Sequence, residues 1–248
     1  MIEAKSLRKA VVPSSLIPNP SPASFQSNRL AFHISSDGSS CCVYIASGCQ
    51  TYKLEISLED SELTKGKESL LIPVQAQVLH SSIVDRCPHR SEIQSLILSE
   101  TDYSDGRTYS VAPRDSGVGE GSWTGLSFSP SQWSTAAVAR SFCKSVDVYD
   151  QDIHVRSLHT LWYPSSLSFL QSSSPGNGNS LLAVAEGCQL SIWDLRMKEN
   201  GGCVQRVCGS MGDIIYAVSS ASTGHIAVGG GGADRSVAIY DCRRSVTI

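Results

Sequence analysis

Apolar and polar residues alternate with period two in short runs along the second half of the chain, and the runs stop at turn-forming residues. Residues 123–129 alternate and end at Pro130, as a half-buried strand does. Further strands are predicted at 134–139, 145–150 and 155–158, then at 167–170, 181–185, 190–194 and 204–207. A third set follows at 214–218, 225–229 and 236–241, and only residues 245–248 remain where its fourth strand should form. The first half repeats this less clearly. Residues 29–34, 41–46 and 51–56 read as a meander with a hairpin turn at Asp37-Gly38. Strands are also expected at 70–74, 77–80 and 93–98. Residues 57–68, 99–121 (around a short apolar piece at 109–112) and 172–179 have loop composition. No segment has the 3.6-residue period of a long amphipathic helix.

The strand endings repeat. Trp193-Asp194 closes one run, Tyr149-Asp150 an earlier one and Tyr240-Asp241 a later one, and the aromatic residues are spaced by 44 and 47 residues. A period of about 40–50 residues with short strands is the signature of a propeller blade, and a blade cannot bury its faces without neighbours. On these endings the chain resembles the WD-repeat (transducin β-subunit-like) β-propeller superfamily, over residues 122–244 and more weakly over 29–121. The resemblance implies an all-β propeller in which Tyr149, Asp150, Trp193, Asp194, Tyr240 and Asp241 close third strands. It also implies that Asp234 occupies the tight turn before the last of them. The family's Gly-His pair is missing where Gly209-Ser210-Met211-Gly212 stands, with His89 a loose candidate elsewhere.

Length sets a conflict with that fold. Seven blades need about 300 residues, whereas this chain has 248, room for about five. One expectation is an incomplete form of a longer seven-bladed protein. The alternative is a compact five-bladed ring in which residues near Ala10 to Val12 supply the missing strand. The expected organisation is an extended lead-in over 1–28, degenerate blades with long loops over 29–121, and three clearer blades over 122–248.

Composition narrows the function classes. Hydrophobic content of 41% and charged content of 17% describe a globular chain. Net charge is −3, with no basic block of the kind nucleic-acid binding needs and no apolar run long enough for a membrane span. The first 30 residues carry Lys5, Arg8, Lys9 and Arg29 against Glu3, a transit-peptide bias, but Pro13, Pro18, Pro20 and Pro22 break any helix there. Nine cysteines without a Cys-x-x-Cys read as reduced thiols, which fits a cytoplasmic or nuclear protein. Cys203 and Cys208 lack a histidine at zinc spacing, so no metal or other cofactor is expected.

Catalytic patterns are sparse. Gly229 to Gly232 precedes Asp234-Arg235 rather than a helix and reads as a turn; Cys87-Pro88-His89 reads as a loop. Glu59-Asp60 and Asp102 with Asp105 read as solvated loops. Trp123, Trp133 and Trp162 are expected to be core or blade-packing residues rather than a recognition patch. The expectation is a non-enzymatic scaffold whose partners are proteins or peptides. A narrower one follows from Trp193-Asp194-Leu195-Arg196. WD-repeat substrate receptors of cullin-4 ubiquitin ligases end a third strand in Trp-Asp-x-Arg, with an acid upstream. Glu186 lies one residue before that acid's position, and a second near-match runs through Asp234 and Tyr240-Asp241 to Arg243. The implied partner-binding residues are Trp193, Asp194, Arg196, Asp241 and Arg243, the arginines offering planar forks to an adaptor's carboxylates. In the simpler reading, the Asp caps a turn and the Arg covers a blade edge. A third expectation is a truncated isoform without independent function, poorly soluble because of its open edge.

Overall fold

A computed structural model of the chain describes residues 8–17, 29–58, 74–84, 92–98, 124–130, 132, 134–140, 143–170, 180–208, 213–221, 223–231 and 236–241. The chain is all-β and divides into two compact units, Met1–Leu98 and Ser99–Ile248.

In the first unit, β1 (Arg8–Lys9) pairs in parallel with β5 (Val74–Gln75). Strands β2 (Leu30–Ile34), β3 (Ser40–Ser47), β4 (Gln50–Ser57) and β6 (Val78–Ile83) form an antiparallel sheet in the order β2-β3-β4-β6. The turn between β2 and β3 falls at Asp37-Gly38 as the sequence predicts. Gly38 takes φ +72, and Asp37 accepts bonds from Ser35 Oγ at 2.6 Å, Ser39 N at 3.0 Å and Ser39 Oγ at 2.8 Å. The Ser35 hydroxyl leads in holding that carboxyl down at about 2. Two expectations fail here. Residues 93–98 form no strand; Ile93 N donates to Gly48 O at 2.9 Å and the sheet already ends on β6. Ala10 to Val12 form no strand either. Within the lead-in, β1 pairs with β5 and is followed by a turn closed by Leu16 N to Pro13 O at 3.0 Å.

The second unit holds three antiparallel meanders. The first is β7 (Thr124–Phe128), β8 (Thr135–Arg140), β9 (Ser145–Asp150) and β10 (Ile153–His159). The second is β11 (Pro164–Phe169), β12 (Leu181–Glu186), β13 (Gln189–Asp194) and β14 (Cys203–Cys208). The third is β15 (Ile215–Ser220), β16 (His225–Gly230) and β17 (Val237–Asp241). These sheets are consistent with propeller blades. Among the described residues the third has three strands, and residues 245–248 lie outside them, as do the expected pieces at 70–73, 109–112 and 172–179.

Alternation explains the stacking. In β12, Leu182 and Val184 join one buried cluster with Val146, Val148, Leu158, Leu167 and Trp193, while Ala183 and Ala185 join another with Leu190, Ile192, Ile215, Ile226 and Val228. Successive side chains of one strand thus fill the two gaps on either side of its sheet. First strands β7, β11 and β15 lie side by side. Small residues permit that approach. Ser127 Oγ accepts from Phe169 N at 3.2 Å, Ser166 Oγ accepts from Val218 N at 3.2 Å, and a Cβ on Gly125 would sit 2.9 Å from Leu167 Cδ2. The described cysteines Cys41, Cys42, Cys49, Cys143, Cys188, Cys203 and Cys208 are free thiols.

Candidate functional site

The three aromatic-Asp endings occupy one register position. Trp193 pairs with Leu182 and Asp194 with Leu181; Tyr149 with Ala136 and Asp150 with Thr135; Tyr240 with Ile226 and Asp241 with His225. Each Asp therefore stands opposite the first residue of the preceding strand, and each aromatic residue opposite the second. The 44- and 47-residue spacings of the sequence are one structural position used three times. Asp234 and Arg243 lie outside the described residues, so the second Trp-Asp-x-Arg-like stretch has no geometry to report.

Trp193 is 1% exposed. Its Nε1 donates to Ser191 Oγ at 2.8 Å, and the Arg206 guanidinium lies 5.5 Å from its ring centroid. Asp194 fastens the following turn. Its Oδ1 accepts from Arg196 N at 2.9 Å, Arg196 Nε at 3.0 Å and Ser180 Oγ at 3.1 Å, and its Oδ2 accepts from Arg196 Nη2 at 2.8 Å. The Arg196 side chain is 61% exposed, yet one side of its fork is already closed on Asp194. This bond to Arg196 leads in lowering the Asp194 carboxyl from 3.8 to about 2 and also raises the Arg196 guanidinium. A depressed folded-state value stabilises above the unfolded value and is lost as pH falls through the folded value. The Asp194 contribution is thus present above about pH 4 and lost between about 4 and 2. Arg196→Ala should move the Asp194 titration, followed by carboxyl NMR, up toward the ordinary value. It should lower stability only slightly at neutral pH, because solvent screens the exposed partner. An unmoved titration would mean that the turn backbone and Ser180, not Arg196, set the carboxylate.

Tyr149 and Tyr240 are partly buried. The Tyr149 hydroxyl accepts from Arg140 Nη2 at 3.2 Å, and its ring meets His154 edge-on at 5.4 Å. On the same side of that sheet, buried Asp147 accepts from Ser157 Oγ at 2.7 Å, and His154 Nε2 lies 3.0 Å from that hydroxyl. Serine, histidine and aspartate in contact invite a catalytic reading, but the order is wrong for one. The serine gives its proton directly to the carboxylate, so the imidazole must donate to Oγ and cannot act as its base. Sequence reading passed over this cluster. An Asp between Val146 and Val148 in a strand buried on both faces was the available signal.

A second omission lies at the connector from β10 to β11. Glu186 ends β12 and is fully buried. Its Oε2 accepts from the backbone N–H of Leu161 at 2.6 Å and of Trp162 at 3.1 Å. Thr160 Oγ1 donates to Trp162 O at 2.7 Å, and Thr160 N to Lys144 O at 3.1 Å. The carboxylate fixes the loop backbone while its side chains point outward. Leu161 is 56% exposed, Trp162 55% and Tyr163 52%. Of the two places expected for Trp162, the core is thereby ruled out. Its ring lies over the turn after Glu186, where Gly187 takes φ +60 and any Cβ would stand 3.2 Å from Trp162 Cγ. Lys144 Nζ sits 5.8 Å from the Trp162 ring centroid and 5.5 Å from that of Tyr163. Beyond the same turn, Ile215 N donates to Gly187 O at 2.8 Å, and flanking residues Ile214 and Tyr216 are exposed. The sequence signal was an acid directly after five apolar residues and directly before a Gly.

Among the described residues, no group of three His, Cys, Asp or Glu side chains could hold a metal ion. No helix is long and apolar enough to cross a membrane among them.

No family model matches the chain, and no curated protein matches it. Similar folds occur among solved structures. The outer coat vertex of COPII on membranes aligns with a TM-score of 0.50 at 12% identity, over 82% of this chain and 55% of that one. A chain of the COPII coat assembled on membranes aligns with the same score and identity, over 82% of this chain and 31% of that one. Raptor from Chaetomium thermophilum aligns with a TM-score of 0.41 at 8% identity, over 87% of this chain and 16% of that one. The chain therefore spans between about a sixth and about half of the length of these neighbours. At 12% identity the likeness to the coat proteins is one of fold, and they contain β-propellers.

Proposed function

We propose that the chain is a non-enzymatic WD-repeat protein that acts as a protein-interaction scaffold in the cytoplasm or nucleus, with the connector Thr160 to Tyr163 as its main contact. The observation that carries this is the exposed trio Leu161, Trp162 and Tyr163 on a backbone fixed by a buried carboxylate. Large aromatic side chains held in place bind with little ordering cost, and Trp and Tyr dominate binding energy at protein interfaces. The repeated register of the three sheets supports the WD-repeat assignment. The direction of the Ser157 proton supports a structural role for the one serine–histidine–aspartate contact described above.

A narrower reading, substrate receptor of a cullin-4 ubiquitin ligase, draws on the exposure of Arg196 at the end of β13. Against it, the fork that would grip an adaptor already grips Asp194. One experiment separates the readings: quantitative capture of cellular partners by the wild type, by Trp162→Ala with Tyr163→Ala, and by Arg196→Ala with Arg243→Ala. The loop variant should lose a common set of partners by about tenfold or more while unfolding at the same denaturant concentration. Full retention by the loop variant would overturn the scaffold site. Equal recovery of the ligase adaptor by wild type and arginine variant would remove the narrower reading.

A further inference from the structure

A second surface lies away from the connector. The last strands of two adjacent sheets, β10 and β14, diverge and leave a groove of about 450 Å³ between them. Trp193 lies at its base, Arg156, Ser157 and His159 line it from β10, and Gln205 and Arg206 from β14. The 3-10 turn Glu199–Gly202 contributes Asn200 and Gly201 to the lining. Among the described residues lining it there is no carboxylate, and Glu186 lies behind Arg206 at 3.9 Å.

Of the two guanidinium groups there, Arg156 is held by uncharged groups and Arg206 is paired at longer range with the buried Glu186 carboxylate. Arg156 Nη1 donates to Leu195 O at 3.0 Å and Nη2 to Gly201 O. Both acceptors are uncharged carbonyls, so they fix the guanidinium without cancelling its charge. The Arg206 guanidinium carbon lies 5.5 Å from the Trp193 ring centroid, and Arg206 Nε forms an ion pair with Glu186 Oε1 at 3.9 Å, beyond hydrogen-bonding reach. His159 is exposed. Two guanidinium groups and an exposed imidazole thus line one groove, where a wall of low polarity strengthens the guanidinium field. Both flanking strands are terminal in their sheets among the described residues, so each presents a backbone edge along the groove.

We propose that this inter-sheet groove binds an extended acidic peptide segment, with carboxylate side chains on Arg156 and Arg206. An anion alone would use the cations. An extended chain would also use the strand edges, which favours peptide over free phosphate. None of the connector residues 160–163 lines the groove, although Glu186 touches both through the loop backbone and Arg206.

The test uses the full chain and a fluorescein-labelled peptide of alternating Glu and Leu, read by anisotropy. Its Gln-for-Glu counterpart should bind at least about tenfold more weakly. Arg206→Gln and His159→Glu should each weaken the Glu peptide several-fold, and higher salt should weaken it further. Trp162→Ala with Tyr163→Ala should leave it unchanged. His159 is exposed, so His159→Glu keeps the test decisive if Arg206→Gln disturbs folding. Equal binding of the Glu and Gln peptides, no binding of the Glu peptide, or wild-type affinity in His159→Glu would overturn the proposal. Competition by inorganic phosphate as effective as by unlabelled peptide would also overturn it, since the site would then recognise an anion and not a chain.

Discussion

Glu186→Ala should destabilise the second unit by about 3 kcal/mol and release the connector that carries Trp162. The carboxylate is fully buried and accepts two backbone N–H groups from a loop that follows another sheet. A buried donor without an acceptor costs about 1–3 kcal/mol. Water reaching the exposed side of the loop offsets part of that loss. Glu186→Gln keeps one carbonyl oxygen for the same two donors but turns an NH₂ toward Arg206, so it should cost less, about 1–2 kcal/mol. Urea unfolding followed by circular dichroism gives the stability. The emission of Trp162 reports whether its indole still lies over Gly187. A loss below about 0.5 kcal/mol in Glu186→Ala would mean that packing, and not the carboxylate, positions the connector.

Trp193→Ala should be the most damaging single change in the molecule. The indole is 1% exposed, in the cluster that joins two sheets, and its N–H is bonded to Ser191. Truncating a fully buried Trp costs about 3–5 kcal/mol in lost transfer energy and cavity. Trp193→Phe keeps a ring and loses the Ser191 bond, for about 1–2 kcal/mol. Trp162→Ala should stay within about 0.5 kcal/mol, because that ring is more than half exposed. Urea titration of the three variants gives the ranking directly. A Trp162→Ala loss equal to that of Trp193→Ala would contradict the placement of both rings. Arg206 covers Trp193 and approaches Glu186, so substitutions at 186 and 193 should couple and not add.

The strands of the second unit were legible because their signal is local. Alternation, turn residues and the repeated aromatic-Asp ending each act within a few residues, and all three endings occupy the predicted third strands. Residues 93–98 differ from expectation because an apolar run does not state whether it will pair; the sheet order is β2-β3-β4-β6 and residues 93–98 do not add to it. The lead-in misled similarly, since β1 pairs with a two-residue strand 66 positions away that no local pattern announces.

The candidate sites were legible only in part. That Asp194 would cap its turn could be read from Trp193-Asp194-Leu195-Arg196, because donors and acceptor are two residues apart. Residue type alone favours a core or blade-packing place for Trp162, but type ranks residues and not positions. Its exposure follows from Glu186, 24 residues later, holding the loop backbone, and from a Gly187 turn that places backbone where a core would otherwise be. The groove was out of reach of the sequence altogether. Its walls come from strands about 50 residues apart, and Arg156 enters it only because carbonyls at Leu195 and Gly201 stand within its reach.

By itself the sequence determined an all-β chain, the position of most strands, the third-strand endings and their period, since these depend on alternation and turn chemistry between near neighbours. Tertiary structure alone decided which aromatic residues are buried and which are displayed, which acid holds a loop and which cations line a groove. Those outcomes depend on how neighbouring sheets stack, and stacking brings together residues whose separation along the chain carries no local signal.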